Sequence, residues 1–70
     1  MKAYIQQLEK EFSLIKNGFK QEEKRALEDY RKFNQEDIQK LAFLSYQSTV
    51  YQVRMYGFFY LDIYQKTEKF

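Results

Sequence analysis

Hydrophobic positions in the first half of the chain recur at helical spacing. In residues 2–16 the apolar side chains follow one another at steps of three, four and three, and most other positions hold Gln, Glu or Lys. These apolar positions are Ile5, Leu8, Phe12 and Ile15. Such spacing places them on one face of a helix. The pattern resumes after Asn17-Gly18 and predicts two helices, about 2–16 and 19–33, with a break or bend between them.

A longer apolar stretch follows. Residues 41–64 contain only two charged side chains, Arg54 and Asp62. From Ile38 onward, apolar and small positions again recur every three or four residues: Ile38, Ala42, Ser45, Thr49, Val53, Tyr56, Tyr60 and Ile63. Asn34 is a suitable N-cap at the start. We therefore predict a long helix of about 35–66 and an all-α fold, in which two shorter helices pack on this third one within a single domain, residues 1–70.

A β-hairpin over about 49–64 is the alternative. Apolar and polar residues also alternate there, the stretch is rich in β-branched and aromatic residues, and Gly57 lies between the two runs. The turn Tyr56-Gly57 lacks the Asn or Asp that tight hairpin turns prefer. The helix is favoured, and an α+β fold remains the second interpretation.

Local charge pairs are expected on two of these helices. Glu22 is three residues before Arg25, and Asp62 is four residues before Lys66. Side chains three or four positions apart are neighbours on a helix surface. We expect both pairs to form on solvated faces.

Composition limits the chemistry. The 70 residues include no histidine and no cysteine, and the net charge is +2. The commonest general base and the commonest metal ligands are therefore missing. No glycine-rich phosphate loop is present either. We predict no catalytic residue, no metal site and no cofactor, and a protein that is not an enzyme.

The sequence also bears on location. Residues 41–61 are long enough to cross a bilayer, but they include Gln47, Gln52 and Arg54, which are costly in hydrocarbon. The N-terminus has no apolar core of the kind that a signal peptide needs. The sequence predicts no membrane span and a cytoplasmic protein.

The surplus of aromatic side chains in the last thirty residues indicates an interface. A short chain has difficulty burying this much apolar area alone. The first interpretation is a protein-interaction module, namely an adaptor, inhibitor or regulator of phage or mobile-element origin, which binds another protein or forms a homodimer. In that antiparallel dimer, Arg54 of one copy would face Asp62 of the other across a crossing near Phe58, where Gly57 would let the two backbones approach. The expected interface residues are Tyr51, Arg54, Met55, Phe58, Phe59 and Asp62.

Two other functions remain open. A small DNA-binding regulator would use the basic residues of the second helix against phosphates. These are Lys20, Lys24, Arg25, Arg31 and Lys32. A peripheral membrane protein would use the edge formed by Phe58 and Phe59. The first interpretation expects no nucleic-acid partner.

Overall fold

The structure is a computed structural model that describes residues 1–16 and 18–68, with side chains up to residue 66. In this part of the chain there are four helices and no strand: α1 (Lys2–Phe12), α2 (Lys20–Lys32), α3 (Gln35–Tyr46) and α4 (Tyr51–Glu68). The all-α prediction is confirmed. The hairpin over 49–64 is wrong, because those residues lie largely in α4.

The predicted long helix is divided in two at residues 47–50. The Ser48 hydroxyl accepts a hydrogen bond from the Val50 backbone N–H at 3.0 Å and donates one to the Glu9 carboxylate at 2.6 Å. A serine that bonds to the backbone two residues ahead offers the chain an alternative to the helix. The architecture therefore has four helices rather than three. The start of α3 is as predicted, since Asn34 Oδ1 accepts from the Asp37 N–H at 2.8 Å.

The first helix is shorter than predicted. It ends at Phe12, and the Ser13 hydroxyl donates to the Lys10 carbonyl oxygen at 3.0 Å just beyond that end. Gly18 has a φ of 66°, the left-handed conformation that glycine adopts without steric cost. It lies six residues beyond the helix and so does not cap it. Asn17 is outside the described residues.

All four helices share one hydrophobic core, in which α4 packs against both α2 and α3. The predicted faces supply this core. Its buried members are Ile5, Leu8, Phe12, Ala26, Ile38, Leu41, Val53, Tyr56 and Tyr60. Gly57 lies where α4 crosses α3, and a Cβ at this position would be 2.7 Å from the Cβ of Ser45. The close approach predicted between two copies therefore occurs within one chain.

Candidate nucleic-acid interface

Helix α2 has one buried face and one solvated face. Glu22, Ala26 and Asp29 are buried, and α2 packs mainly on α4. Lys20, Lys24, Leu27 and Arg31 are exposed and follow one another at steps of four, three and four. This spacing places them in one row on the side opposite the buried face. We call this row the α2 stripe.

The α2 stripe is a short basic ridge. At a rise of about 1.5 Å per residue, its three cations span about 16 Å. No ion pair within 4.0 Å involves Lys20, Lys24 or Arg31 in the part of the chain that the structure describes. Lys32, which was also predicted to face phosphates, is the last residue of α2, and its Nζ lies 5.2 Å from the centre of the Phe33 ring. The flanking acids Glu23 and Glu28 are also exposed.

Arg25 faces α1 instead of solvent, contrary to the prediction. Its Nη1 donates to Glu11 Oε1 at 3.1 Å, its Nε donates to the Tyr4 hydroxyl at 3.1 Å, and Asp29 Oδ2 lies 3.6 Å from Nε. The bond with Arg25 lowers the pKa of Glu11. Burial opposes the charge on Arg25, but its bonds to Tyr4 and Glu11 outweigh that effect and raise its pKa. Arg25 therefore joins α2 to α1, and we exclude it from the candidate interface.

A buried polar cluster holds α2 in place. Asp29 Oδ2 accepts hydrogen bonds from the Tyr4 hydroxyl at 2.7 Å and from the Tyr56 hydroxyl at 2.6 Å. The hydroxyls of Tyr56 and Tyr60 are hydrogen-bonded to each other. Burial and the bond to Asp29 raise the pKa of Tyr4 to about 12, and burial raises the pKa of Tyr56 and Tyr60 further. The cluster links α1, α2 and α4, so the α2 stripe is carried on a helix fixed from its inner side.

Glu22 differs from the other acids of this helix. Its side chain is fully buried, and neither carboxylate oxygen has a hydrogen-bond partner among the described residues. The predicted pairing with Arg25 does not occur, because Glu22 points inward and Arg25 points towards α1. Burial in surroundings without a partner raises the pKa of Glu22.

Four of the six residues predicted to form a protein interface lie on one face of α4. Tyr51, Met55, Phe58 and Asp62 share one face, at steps of four, three and four, whereas Phe59 packs against the core. The ring of Tyr51 contacts that of Phe19, and the ring of Phe58 contacts that of Tyr46.

The charged members of that predicted interface have partners within the chain. Arg54 donates from Nη1 to the Ser48 carbonyl oxygen at 2.8 Å and lies over the Tyr51 ring. Asp62 pairs with Lys66 at 3.0 Å, as the sequence predicted. Arg54 and Asp62 are thus each engaged locally, and the structure offers no support for pairing them across two copies.

Neither a cluster of metal ligands nor a membrane-spanning helix occurs among the described residues. Within residues 1–16 and 18–68 there is no group of three or more Asp or Glu side chains that could hold a metal ion. No helix of the described part is long and apolar enough to cross a membrane. The membrane edge predicted at Phe58 and Phe59 is reduced to Phe58, because Phe59 packs against the core.

Two solved structures resemble the chain over nearly its whole length. AlkD2 from Streptococcus mutans is 56% identical with a TM-score of 0.88, and the match covers 97% of this chain and 33% of AlkD2. The protein smu.31 from Streptococcus mutans UA159 is 51% identical with a TM-score of 0.81, and the match covers 97% of this chain and 31% of smu.31. The chain thus spans about a third of the length of each structure it matches. No protein-family model and no curated protein matches the sequence.

These likenesses correct the first functional interpretation. Both resemblances are to AlkD-like proteins. The expectation of an adaptor, inhibitor or regulator that binds another protein or forms a homodimer is therefore wrong, and so are the expected phage or mobile-element origin and the expected absence of a nucleic-acid partner. The surplus of aromatic area that suggested an interface is also smaller than expected, because Tyr56 and Tyr60 are buried in the chain's own core.

Proposed function

We propose that this chain is a DNA-binding helical unit and that the α2 stripe makes its contact with DNA. The observation that carries the proposal is the row of three exposed cations, Lys20, Lys24 and Arg31, without an ion-pair partner within 4.0 Å among the described residues. Lysine and arginine side chains bind the phosphates of DNA and release its counterions. The likeness to a third of AlkD2 supports the same class of partner.

The stripe is suited to the backbone of DNA more than to its bases. Its fourth member, Leu27, can neither donate nor accept a hydrogen bond at a base edge, and its three cations can donate to the phosphates of a duplex of any sequence. Contacts with phosphates fix the position of a protein on the duplex but carry no sequence information. The unit should therefore bind duplexes of different sequence with similar affinity.

The proposal concerns binding alone. The expectation that the chain is not an enzyme stays a prediction, and it rests on the missing histidine and cysteine. The cytoplasmic location also stays a prediction. Both are compatible with a unit whose contribution is to hold DNA by its phosphates.

The salt dependence of DNA binding tests the proposal. Fluorescence anisotropy with a labelled duplex of arbitrary sequence gives the affinity at several salt concentrations. Three phosphate contacts correspond to a slope of about −2.7 in a plot of log affinity against log salt. Replacing Lys20, Lys24 and Arg31 together by Gln should remove most of that slope and most of the affinity.

A matched variant separates the stripe from net charge. Replacing Lys2, Lys10 and Lys40 by Gln also lowers the net charge by three, and these residues are exposed on α1 and α3. The Lys40–Glu36 pair that is lost spans 3.9 Å between well-exposed side chains, so its contribution is small. This variant should retain the slope. An equal loss in both variants, or no binding by the unaltered chain, would refute the proposal.

A further inference from the structure

The first turn of α2, residues 20–23, holds a buried carboxylate that lacks a partner. Glu22 is fully buried, and neither of its side-chain oxygens has a hydrogen-bond partner among the described residues. Polar atoms inside folded proteins almost always have such a partner, so an orphaned carboxylate needs a specific explanation. Burial disfavours the ionised form of this side chain, and only the backbone of Glu22 itself favours it.

The charged groups of the surrounding helices do not compensate Glu22. The titratable side chains enclosed between α1, α2 and α4 are bonded to one another: Tyr4, Glu11, Arg25, Asp29, Tyr56 and Tyr60. On α4, Arg54 donates to the Ser48 carbonyl oxygen. On α3, Lys40 pairs with Glu36 at well-exposed side chains. The ionised form of Glu22 is therefore unfavourable for as long as the first turn of α2 stays packed.

The start of α2 is held less firmly than the rest of the helix. Its N-cap residue, Phe19, makes no side-chain hydrogen bond to the first backbone N–H groups, although such a bond stabilises many helix starts. The turn is closed by a 3.0 Å bond from the Glu23 N–H to the Phe19 carbonyl oxygen. The Phe19 ring contacts Tyr51, which is itself 54% exposed. Arg25 and Asp29, which join α2 to its neighbours, both lie beyond this turn.

We propose that the first turn of α2 is a pH-controlled switch, which stays packed while Glu22 is protonated and opens locally when Glu22 ionises. In the open turn the carboxylate is in water and has its ordinary pKa of 4.5, whereas burial raises the pKa of Glu22 in the packed turn. At a pH between these two values, ionisation stabilises the open turn alone. Each pH unit in this window shifts the equilibrium towards the open turn by up to about tenfold.

The switch has a consequence for the α2 stripe. Lys20, the first cation of the stripe, lies in the turn that opens, whereas Lys24 and Arg31 lie beyond it. The number of cations presented in one row would therefore depend on pH. This consequence rests on the proposed contact with DNA, but the switch itself does not.

Amide hydrogen exchange tests the switch without any ligand. The amides of residues 23–26 bond to carbonyl oxygens of residues 19–22, so they lose protection when the turn opens. Measured by NMR relative to an unstructured peptide at the same pH, their protection factors should fall by up to about tenfold per pH unit above 4.5. Low concentrations of urea should hardly change the exchange of these amides but should accelerate that of amides in α3, because urea promotes openings in proportion to the surface they expose.

Glu22→Gln removes the charge at nearly constant shape, and Glu22→Met is a second uncharged variant in case the first does not fold. In either variant the protection factors of residues 23–26 should not change with pH. Glu23→Gln is the matched control, because Glu23 is an exposed acid in the same turn, and it should retain the pH dependence.

Three outcomes would overturn the inference. The first is a protection factor at residues 23–26 that stays constant with pH in the unaltered chain. The second is the same fall in a variant that is uncharged at position 22. The third is a urea dependence equal to that of α3, which would mean that ionisation of Glu22 unfolds the whole chain instead of one turn.

Discussion

Replacing Glu22 should stabilise the protein. The Glu22 side chain is fully buried and its carboxylate has no hydrogen-bond partner among the described residues. An unsatisfied buried polar group costs about 1–3 kcal/mol relative to its hydrated state. Glu22→Met retains the length of the side chain and removes the carboxyl group. An acid in the first turn of a helix contributes only about 0.3–1 kcal/mol through the helix dipole. The loss of this dipole interaction is therefore smaller than the gain from removing the buried carboxylate.

We therefore expect Glu22→Met to raise the free energy of unfolding at pH 7 by about 1–3 kcal/mol. For a domain of this size, each kcal/mol corresponds to a rise of about 4–8 °C in Tm. Denaturant titrations followed by far-ultraviolet circular dichroism measure the change directly.

The gain should depend on pH. Below its ordinary pKa of 4.5, Glu22 is protonated in the folded and the unfolded state alike. Burial raises the pKa of Glu22 in the folded state. At a pH between 4.5 and that raised pKa, ionisation of Glu22 lowers the free energy of the unfolded chain but not that of the folded chain. The unaltered protein loses stability as the pH rises through this window, whereas Glu22→Met does not. The difference in the free energy of unfolding between Glu22→Met and the unaltered protein should be smallest at pH 4 and largest at neutral pH.

Glu23→Met is the control for this prediction. Glu23 is the next residue of α2 and is exposed, so its replacement alters helix propensity and dipole in a similar way without relieving a buried charge. It should change stability by no more than about 0.5 kcal/mol. The reasoning fails if Glu22→Met lowers stability, or if its gain is the same at pH 4 and pH 7.

Three further changes test the core. Asp29→Asn should lower the free energy of unfolding by about 1.5–3 kcal/mol, because the hydroxyls of Tyr4 and Tyr56 lose a charged acceptor. Asp62→Asn on the surface should have little effect, and similar losses for the two variants in denaturant titrations would contradict this prediction. Gly57→Ala should cost about 1–3 kcal/mol, because the new Cβ would lie 2.7 Å from that of Ser45, and an unchanged Tm would show that the helices separate easily. Burial and the bond to Asp29 raise the pKa of Tyr4 from 10.0 to about 12 in the folded state, so the free energy of unfolding should fall as the pH rises from 10 to 12. Tyr4→Phe should reduce that fall, and an unaltered dependence of stability on alkaline pH would count against the cluster.

The helical class and the buried faces could be predicted from the sequence because they depend on local spacing. Ile5, Leu8 and Phe12 occupy one face of any helix formed by residues 2–12, whatever covers them. The N-cap at Asn34 is equally local, since a side chain bonds to a backbone group three residues ahead.

The break between α3 and α4 depends on a distant residue. Ser48 bonds to Glu9, 39 positions away, and the helix pattern of residues 41–64 continues across the break. Only the packing of α1 beside this segment brings that carboxylate within reach. Periodicity could therefore assign the helical conformation but not the division into two helices.

For the candidate interface, the basic residues of α2 could be listed from the sequence, but their roles could not. Lys20, Lys24 and Arg31 point to solvent, whereas Arg25 is bonded to α1 and Glu22 is buried. All five lie on the same helix with the same local propensities. Which charged side chain is free to meet a phosphate was decided by the helices that pack around α2, because a charge is available to a ligand only where no neighbouring element has enclosed or paired it.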